Sequence, residues 1–201
     1  NGCIEKDQGI DASIPYLDSL YKTNPDDFIY SLNLGRAIYF SACNEEVFRR
    51  VEQLYIKSLN NIENVSIENP GFYPIDYLQY DAVVYLNLSD YYAEINEEEK
   101  SLEFAQKAVA SEEKAFGIAD SWTQLRLISA LVRSGQLKRA EDMILFVREN
   151  YAELDWRIWL DLRQFYLDVF LDLEQAKKMV DEAVLSLKPY DDYAKVDTKF
   201  Y

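Results

Sequence analysis

The residues in this chain that could do chemistry are mainly carboxylates. Asp161, Asp168 and Asp172 recur at helical spacing and share one face, so together they could bind a cation. The oxygen-rich loop with an embedded glycine that typifies calcium sites is absent around them. Adjacent acids such as Glu97–Glu99 do not face each other on a helix, and they suit a helix N-terminus better than a catalytic pair. The carboxylates therefore indicate surface charge rather than a catalytic or metal site.

The residue types that usually assist a carboxylate or activate a nucleophile are largely missing. The sequence contains no histidine, which removes the commonest general base and the usual zinc ligand. The two cysteines, Cys3 and Cys43, match neither a disulfide framework nor a metal-ligand spacing. A Ser-Lys arrangement stays open, although no particular residues point to it. We therefore predict a protein that is not an enzyme and that has no metal or other cofactor.

The composition narrows the class of protein further. The 201 residues carry a net charge of −15 and a sequence pI near 4.4, and such a field repels nucleic acids and anionic membrane surfaces. Only 6 glycines and 5 prolines occur, too few for a many-turned β-sandwich. No apolar run reaches the roughly 18 residues of a membrane span. The sequence thus predicts a helical protein that does not bind nucleic acid.

Apolar residues recur along the chain at the i, i+3, i+4, i+7 spacing of helices. Glycine- and proline-containing breakers separate the helical segments, and the stretch 60–74 is predicted to be a surface loop. Gly135 is expected to cap a helix C-terminus, and Asp120 or Ser121 a helix N-terminus. The predicted helices are 11–22, 28–42, 44–60, 76–94, 97–114, 120–134, 137–150, 156–171 and 173–187.

The second helix of each predicted pair repeats one pattern. Ser101, Ala140 and Ala176 align, at intervals of 39 and 36 residues. Further aligned sets are Val51 with Ala105, Ile144 and Val180, Ala108 with Val147 and Ala183, and Ser13 with Val47. Two-helix solenoid repeats have a period of about 34 residues. The chain is therefore predicted to be an array of helix pairs.

This pattern resembles the tetratricopeptide repeat (TPR) family. That family has a Leu-Gly pair in the first helix of its unit, which Leu34-Gly35 matches, and "NPDD" at 24–27 looks like a repeat boundary. The segment 173–189 is similar to a second helix with its terminal proline. The resemblance implies an all-α fold, a right-handed α-solenoid of antiparallel helix pairs with about four and a half TPR-like repeats. In this family the slot of Gly35 faces the paired helix, so we predict a glycine for close packing and not for phosphate binding.

The predicted organisation is one TPR-like repeat domain over residues 11–190. Residues 1–10 form an N-terminal extension, and residues 190–201 form a tail that could dock on the array. The repeats are a half unit at 11–27 and pairs at about 28–61, 76–115, 120–152 and 156–189. Because the half unit and the charged tail could cap the ends of the array, we expect a monomer.

Stacked helix pairs curve into a superhelix, and in this family the first helices form its inner wall. The resemblance therefore implies a concave groove lined by aromatic, basic and acidic residues. Arg126 and Arg133 share one helix face and could grip a carboxylate together. The residues predicted to bind a partner are Arg36, Tyr39, Asn87, Asp90, Trp122, Arg126, Arg133 and Phe165. The alternative is that these residues contact other repeats, the tail or solvent.

The leading expectation for function is a non-enzymatic interaction module that binds a peptide or protein segment in the groove. The alternatives are an all-helical ligand-binding or hydrolytic domain built on a carboxylate cluster, and a fragment of a longer repeat scaffold. The opening residues "NGC" are similar to the end of a lipoprotein processing site, with Cys3 as the lipidated residue. They favour an exported, envelope-associated bacterial lipoprotein or assembly factor over a cytoplasmic protein.

Overall fold

The computed structural model describes residues 8–41, 45–68, 76–151 and 156–197, and this part of the chain is helical without any strand. Its helices are α1 (Gln8–Thr23), α2 (Phe28–Ser41), α3 (Glu45–Glu68), α4 (Asp76–Glu94), α5 (Glu98–Phe116), α6 (Ser121–Arg133), α7 (Leu137–Asn150), α8 (Trp156–Asp168) and α9 (Leu173–Asp197). The bounds of α2, α4, α6 and α7 lie within one residue of the prediction. None of the described helices is both long and apolar enough to cross a bilayer.

The main difference from the prediction is the length of α3. The stretch 60–74 was expected to be a loop, but its first part continues α3 as far as Glu68. Ile62 is buried, and the Nδ2 atom of buried Asn61 donates a hydrogen bond to the Pro25 carbonyl at 3.1 Å. These tertiary contacts outweigh the weak helix propensity of the asparagine-rich sequence. The loop prediction is wrong for residues 60–68, and residues 69–75 lie outside the described part.

The last helix also exceeds its predicted length. α9 runs through position 189 to Asp197, although proline normally ends or kinks a helix. Nothing in the structure explains this continuation. The end of the predicted tail, residues 198–201, lies outside the described residues, as do Cys3 and most of the N-terminal extension.

The chain divides into two compact units, residues 1–119 and 120–201, which we call the N-terminal and C-terminal units. In the N-terminal unit each helix from α1 to α5 packs on the next one, and α2 also contacts α4. Its core lies between these helices. The larger buried side chains there are Phe28, Leu32, Leu34, Ile38, Val51, Leu54, Tyr55, Ile62, Val84, Leu88, Tyr91 and Tyr92.

In the C-terminal unit α6 packs on α7, α8 packs on α9, and α6 also contacts α8. Both units therefore bring the first helices of successive pairs side by side, as stacked helix pairs require. The buried core residues of this unit include Leu125, Ile128, Leu131, Ala140, Ile144, Val147, Ile158, Leu162, Tyr166, Ala176, Met179 and Ala183. The division into one domain with a half unit and four pairs stays a prediction.

Helix caps follow the predicted chemistry. The Asp120 carboxylate accepts hydrogen bonds from the backbone N–H groups of Trp122 at 2.7 Å and Thr123 at 2.9 Å, which makes Asp120 the N-cap of α6. After α6, Gly135 has a φ of 73°, and the N–H groups of Gly135 and Gln136 donate to the carbonyls of the last turn. This is the Schellman arrangement, so the predicted cap at Gly135 is confirmed.

A residue with a positive φ, in the left-handed helical conformation, occurs at the turn between the two helices of each of three successive pairs. This residue is Asn96 with a φ of 58° before α5, Gly135 before α7, and Leu171 with a φ of 53° before α9. Asparagine and glycine tolerate this conformation, whereas a leucine there is strained. Leu171 is also 81% exposed, so its side chain gains nothing from burial within the described structure.

Gly35 allows α2 and α3 to approach closely. A Cβ atom added at Gly35 would lie 2.7 Å from Cε1 and 3.0 Å from Cδ1 of Tyr55, whose side chain is fully buried. Because the ring is enclosed on all sides, it has little room to move away from an added methyl group. The prediction of a packing glycine is thereby confirmed.

Replacement of Gly35 by alanine tests this contact. The methyl group gains roughly 1 kcal/mol of helix propensity, but overpacking against Tyr55 costs about 1–3 kcal/mol. We therefore expect Gly35→Ala to lower the free energy of unfolding by about 1 kcal/mol in urea titrations. In a Tyr55→Val background the clash is gone, and the same substitution should stabilise the protein. An equal effect in both backgrounds would show that the ring does not set the requirement for glycine.

Candidate functional site

In the N-terminal unit, several of the predicted partner-binding residues lie on the α2 and α4 helices, and we call Arg36, Tyr39, Asn87 and Asp90 the N-terminal face. Arg36 is exposed, whereas the other three are half-buried. Tyr39 makes an edge-to-face contact with exposed Phe40, with ring centroids 5.3 Å apart. The Nδ2 atom of Asn87 donates to the Val83 carbonyl at 2.8 Å, so part of its amide is used within its own helix.

Three residues of the N-terminal face influence the pKa of Tyr55, a buried residue of α3. Burial raises the pKa of the Tyr55 phenol, the neighbouring Tyr39 and Asp90 raise it further, and Arg36 lowers it. The Tyr55 hydroxyl is buried, and no hydrogen-bond partner for it occurs in the described structure. Arg36, Tyr39 and Asp90 thus all act on the charge of one buried hydroxyl, which relates three of the four residues that the sequence placed here.

In the C-terminal unit, the α6 and α8 helices carry a second group, Trp122, Arg126, Arg157 and Asp161, which we call the C-terminal face. The guanidinium carbon of Arg157 lies 5.2 Å from the centroid of the Trp122 ring, in a cation–π contact. Trp122 stays 40% exposed beside it. A large aromatic ring and a guanidinium plane are therefore held together across two helices at the surface.

Electrostatics connect the remaining members of the C-terminal face. Burial raises the pKa of Asp161, while the positive charges of Arg126 and Arg163 act in the opposite direction. Arg126 and Asp161 thus influence each other across α6 and α8, and both side chains are exposed. This face can offer a partner two guanidinium groups, one carboxylate and one aromatic surface.

The other predicted residues of the C-terminal unit lie outside this group. Arg133 is exposed at the end of α6, and Phe165 is half-buried on α8. Asp168 is exposed and accepts a hydrogen bond from the Gln164 side-chain amide. Within the described residues, no three histidine, cysteine, aspartate or glutamate side chains form a group that could hold a metal ion.

Sequence reasoning missed one residue of the C-terminal face, Arg157, and one residue that interacts with the N-terminal face, Tyr55. Arg157 precedes Asp161 by one helical turn, and this i, i+4 spacing could have placed it on the same face. Its contact with Trp122 depends on the packing of α8 against α6, which no local pattern encodes. Tyr55 is the large residue opposite Gly35, and the glycine is the only sequence signal that something bulky approaches there.

No family model matches the sequence, and no curated protein sequence matches it. Solved structures, however, share its fold. The TPR protein YrrB, described as having an unusual peptide-binding site, is 15% identical with a TM-score of 0.52, over 96% of this chain and 84% of YrrB. MamA is 14% identical with a TM-score of 0.54, over 92% of each chain. The nearly identical TPR-like repeats of a kinesin light chain from Podospora anserina are 12% identical with a TM-score of 0.56, over 91% of this chain and 89% of theirs.

These likenesses extend over almost the whole chain and establish its fold. The chain has the all-α fold of TPR-like helical repeats, an α-solenoid class built from antiparallel helix pairs. The fold class and the resemblance expected from the sequence are therefore confirmed. At 12–15% identity the comparisons concern the fold alone, and the roles of the individual face residues stay predictions.

The buried hydroxyl of Tyr55 leads to a prediction about stability. A buried polar group without a partner costs about 1–3 kcal/mol, so we expect Tyr55→Phe to raise the free energy of unfolding by roughly 1 kcal/mol. Tyr92→Phe is the matched control, because the Tyr92 hydroxyl donates to the Glu52 carboxylate and its removal should destabilise the protein. Urea unfolding of both variants measures the contrast. Destabilisation by Tyr55→Phe would mean that the hydroxyl does have a hydrogen-bond partner.

Proposed function

We propose that this chain is a non-enzymatic interaction module, and that its C-terminal face binds a peptide or protein segment that carries an acidic side chain next to an aromatic or aliphatic one. The observation that supports this most directly is the contact of Arg157 with the exposed Trp122 ring, beside Arg126. Tryptophan and arginine are the side chains that most often dominate binding energy at protein interfaces.

The distribution of charge supports an acidic partner. The chain as a whole has a net charge of −15, yet the only ionisable side chains within α6 are Arg126 and Arg133. A guanidinium group binds a carboxylate through two parallel hydrogen bonds, which a partner's aspartate or glutamate can provide. The acidic remainder of the surface would repel such a partner and so direct it towards this face.

The aromatic and carboxylate groups of the face support a mixed partner rather than a purely acidic one. The Trp122 ring offers apolar surface on which a partner's side chain can stack. Asp161 opposes Arg126 electrostatically and keeps the positive charge of the face moderate. Peptide binding by a TPR-like fold has a precedent in YrrB, a TPR protein with an unusual peptide-binding site.

The N-terminal face is a second surface on which a peptide or protein segment could be bound. Its charged residues, Arg36 and Asp90, are of opposite sign, so it favours a partner with both charges. The hydrolytic alternative gains no support, because Asp161 and Asp168 are both exposed rather than enclosed in a cavity. Export and a lipid anchor at Cys3 stay predictions from the sequence, since Cys3 lies outside the described residues.

Selection from a phage-displayed library of random peptides tests the proposed function. We expect enrichment of peptides that combine aspartate or glutamate with an aromatic or aliphatic residue. For an enriched peptide, fluorescence anisotropy should show binding at least about tenfold weaker to Arg126→Glu, a loss of roughly 1.4 kcal/mol.

The matched control is Arg139→Glu, which makes the same change of charge at an exposed position of α7 in the same unit. Binding to this variant should stay close to that of the wild type. Circular dichroism establishes that both variants are folded. Failure to enrich any peptide, or an equal loss for both variants, would contradict the assignment of the C-terminal face.

A further inference from the structure

The last helix leaves a packing position of the repeat uncovered. The aligned positions Val51, Ala105 and Ile144 in α3, α5 and α7 are all 0% exposed, whereas Val180 in α9 is 37% exposed. Four residues later, Tyr55 and Val109 are buried and Arg148 is half-buried, but Val184 is 56% exposed. The equivalent surface is thus less exposed in the earlier second helices than in α9.

The open positions form one apolar stripe. Leu173, Val180 and Val184 are separated by seven and four residues, which places them along one side of α9. Leu173 is 57% exposed. We call these three residues the α9 stripe. The stripe shares no residue with the C-terminal face. It lies next to the side of α9 on which Ala176 and Met179 are buried in the core.

Leu171 adds a second sign that something covers this end of the unit. It occupies the left-handed position that holds Asn96 and Gly135 in the two preceding pairs. A leucine there is strained and, at 81% exposure, gives no stabilisation in return. Backbone strain of this kind is concentrated at functional sites of proteins. Leu171 lies two residues before the α9 stripe and extends the apolar surface at its N-terminal end.

Charges beside the stripe indicate what covers it. Lys177 and Asp181 lie four residues apart along one flank of the stripe. When two identical helices pair antiparallel about a two-fold axis, the same flank of each helix faces the other. Lys177 then meets the partner's Asp181, and the symmetry makes this ion pair twice. The same register places Leu173 within one residue of the position opposite the partner's Val184.

We propose that the α9 stripe pairs antiparallel with the α9 stripe of a second copy, so that the protein forms a homodimer. This departs from the monomer expected from the sequence, an expectation that rested on capping of the array by the N-terminal half unit and the charged tail. In the structure, Lys177 lies 3.8 Å from Glu174 of its own helix, a long and exposed contact that leaves it able to reach across. The dimer buries the apolar stripe and satisfies the charges on its flank.

Sedimentation velocity on the full chain tests the dimer. The wild type should change from monomer to dimer between about 1 and 100 µM, the range of weak and moderate association. Val180→Asp combined with Val184→Asp should stay monomeric throughout. Leu145→Asp is the matched control, since Leu145 is 41% exposed on α7, away from the α9 stripe, and the change should leave the dimer intact. A monomeric wild type, a dimer in the double variant, or equal disruption by Leu145→Asp would overturn the proposal.

A charge exchange tests the antiparallel register. Lys177→Asp alone and Asp181→Lys alone each place like charges opposite one another, so both should weaken the dimer. The two substitutions together restore opposite charges and should restore dimerisation. If the combined variant is weaker than either single variant, the proposed ion pair is wrong.

Cysteine crosslinking locates the two-fold axis. The experiment uses a chain in which the native cysteines have been removed by Cys3→Ser and Cys43→Ser. The register places the axis near position 179, so Val180→Cys should form a disulfide-linked dimer on mild oxidation. Two copies of Val184→Cys should not crosslink, because at 1.5 Å per residue they lie about 15 Å apart along the axis. Crosslinking of Val184→Cys but not of Val180→Cys would exclude this arrangement.

Discussion

Burial of one apolar position on the second helix of the three pairs before α8 and α9 is the constraint on which the rest of this structure depends. Val51, Ala105 and Ile144 occupy that position in successive pairs, and all three are fully buried. A single helix pair cannot enclose such a residue, because a pair has only one internal face. The need to bury this position explains why helix pairs follow one another along the chain. It also explains why the first helices of successive pairs contact each other.

Within the pairs, close approach of the two helices is achieved by different residues in different repeats. In the first pair Gly35 provides the space and Tyr55 fills it. In the next pair a close approach is made by two small polar residues, as the Ser89 hydroxyl donates to the Ser101 carbonyl at 2.9 Å. The first pair thus combines a glycine with a large ring, whereas the second combines two serines, and both pairs are closely packed.

Much of the fold could be predicted from the sequence, because helix periodicity and repeat spacing are local signals. The bounds of α4 and α7, the cap at Asp120 and the packing role of Gly35 all follow from them. The extension of α3 could not be predicted, since it depends on Asn61 reaching the Pro25 carbonyl of a distant turn. The contact between Trp122 and Arg157 was missed for the same reason: the two residues come from different helices, and packing alone brings them together.

The two proposals for the C-terminal unit concern different surfaces, and together they have a physical consequence. The C-terminal face lies on α6 and α8, whereas the stripe lies on α9, so a partner segment and a second copy do not compete for the same residues. A dimer through α9 carries two C-terminal faces on one particle. A partner with two suitable segments then binds the second face as an intramolecular event, with an effective concentration set by the span between them. Modest affinity at each face, as expected for an exposed arginine–carboxylate contact, is therefore compatible with tight association overall.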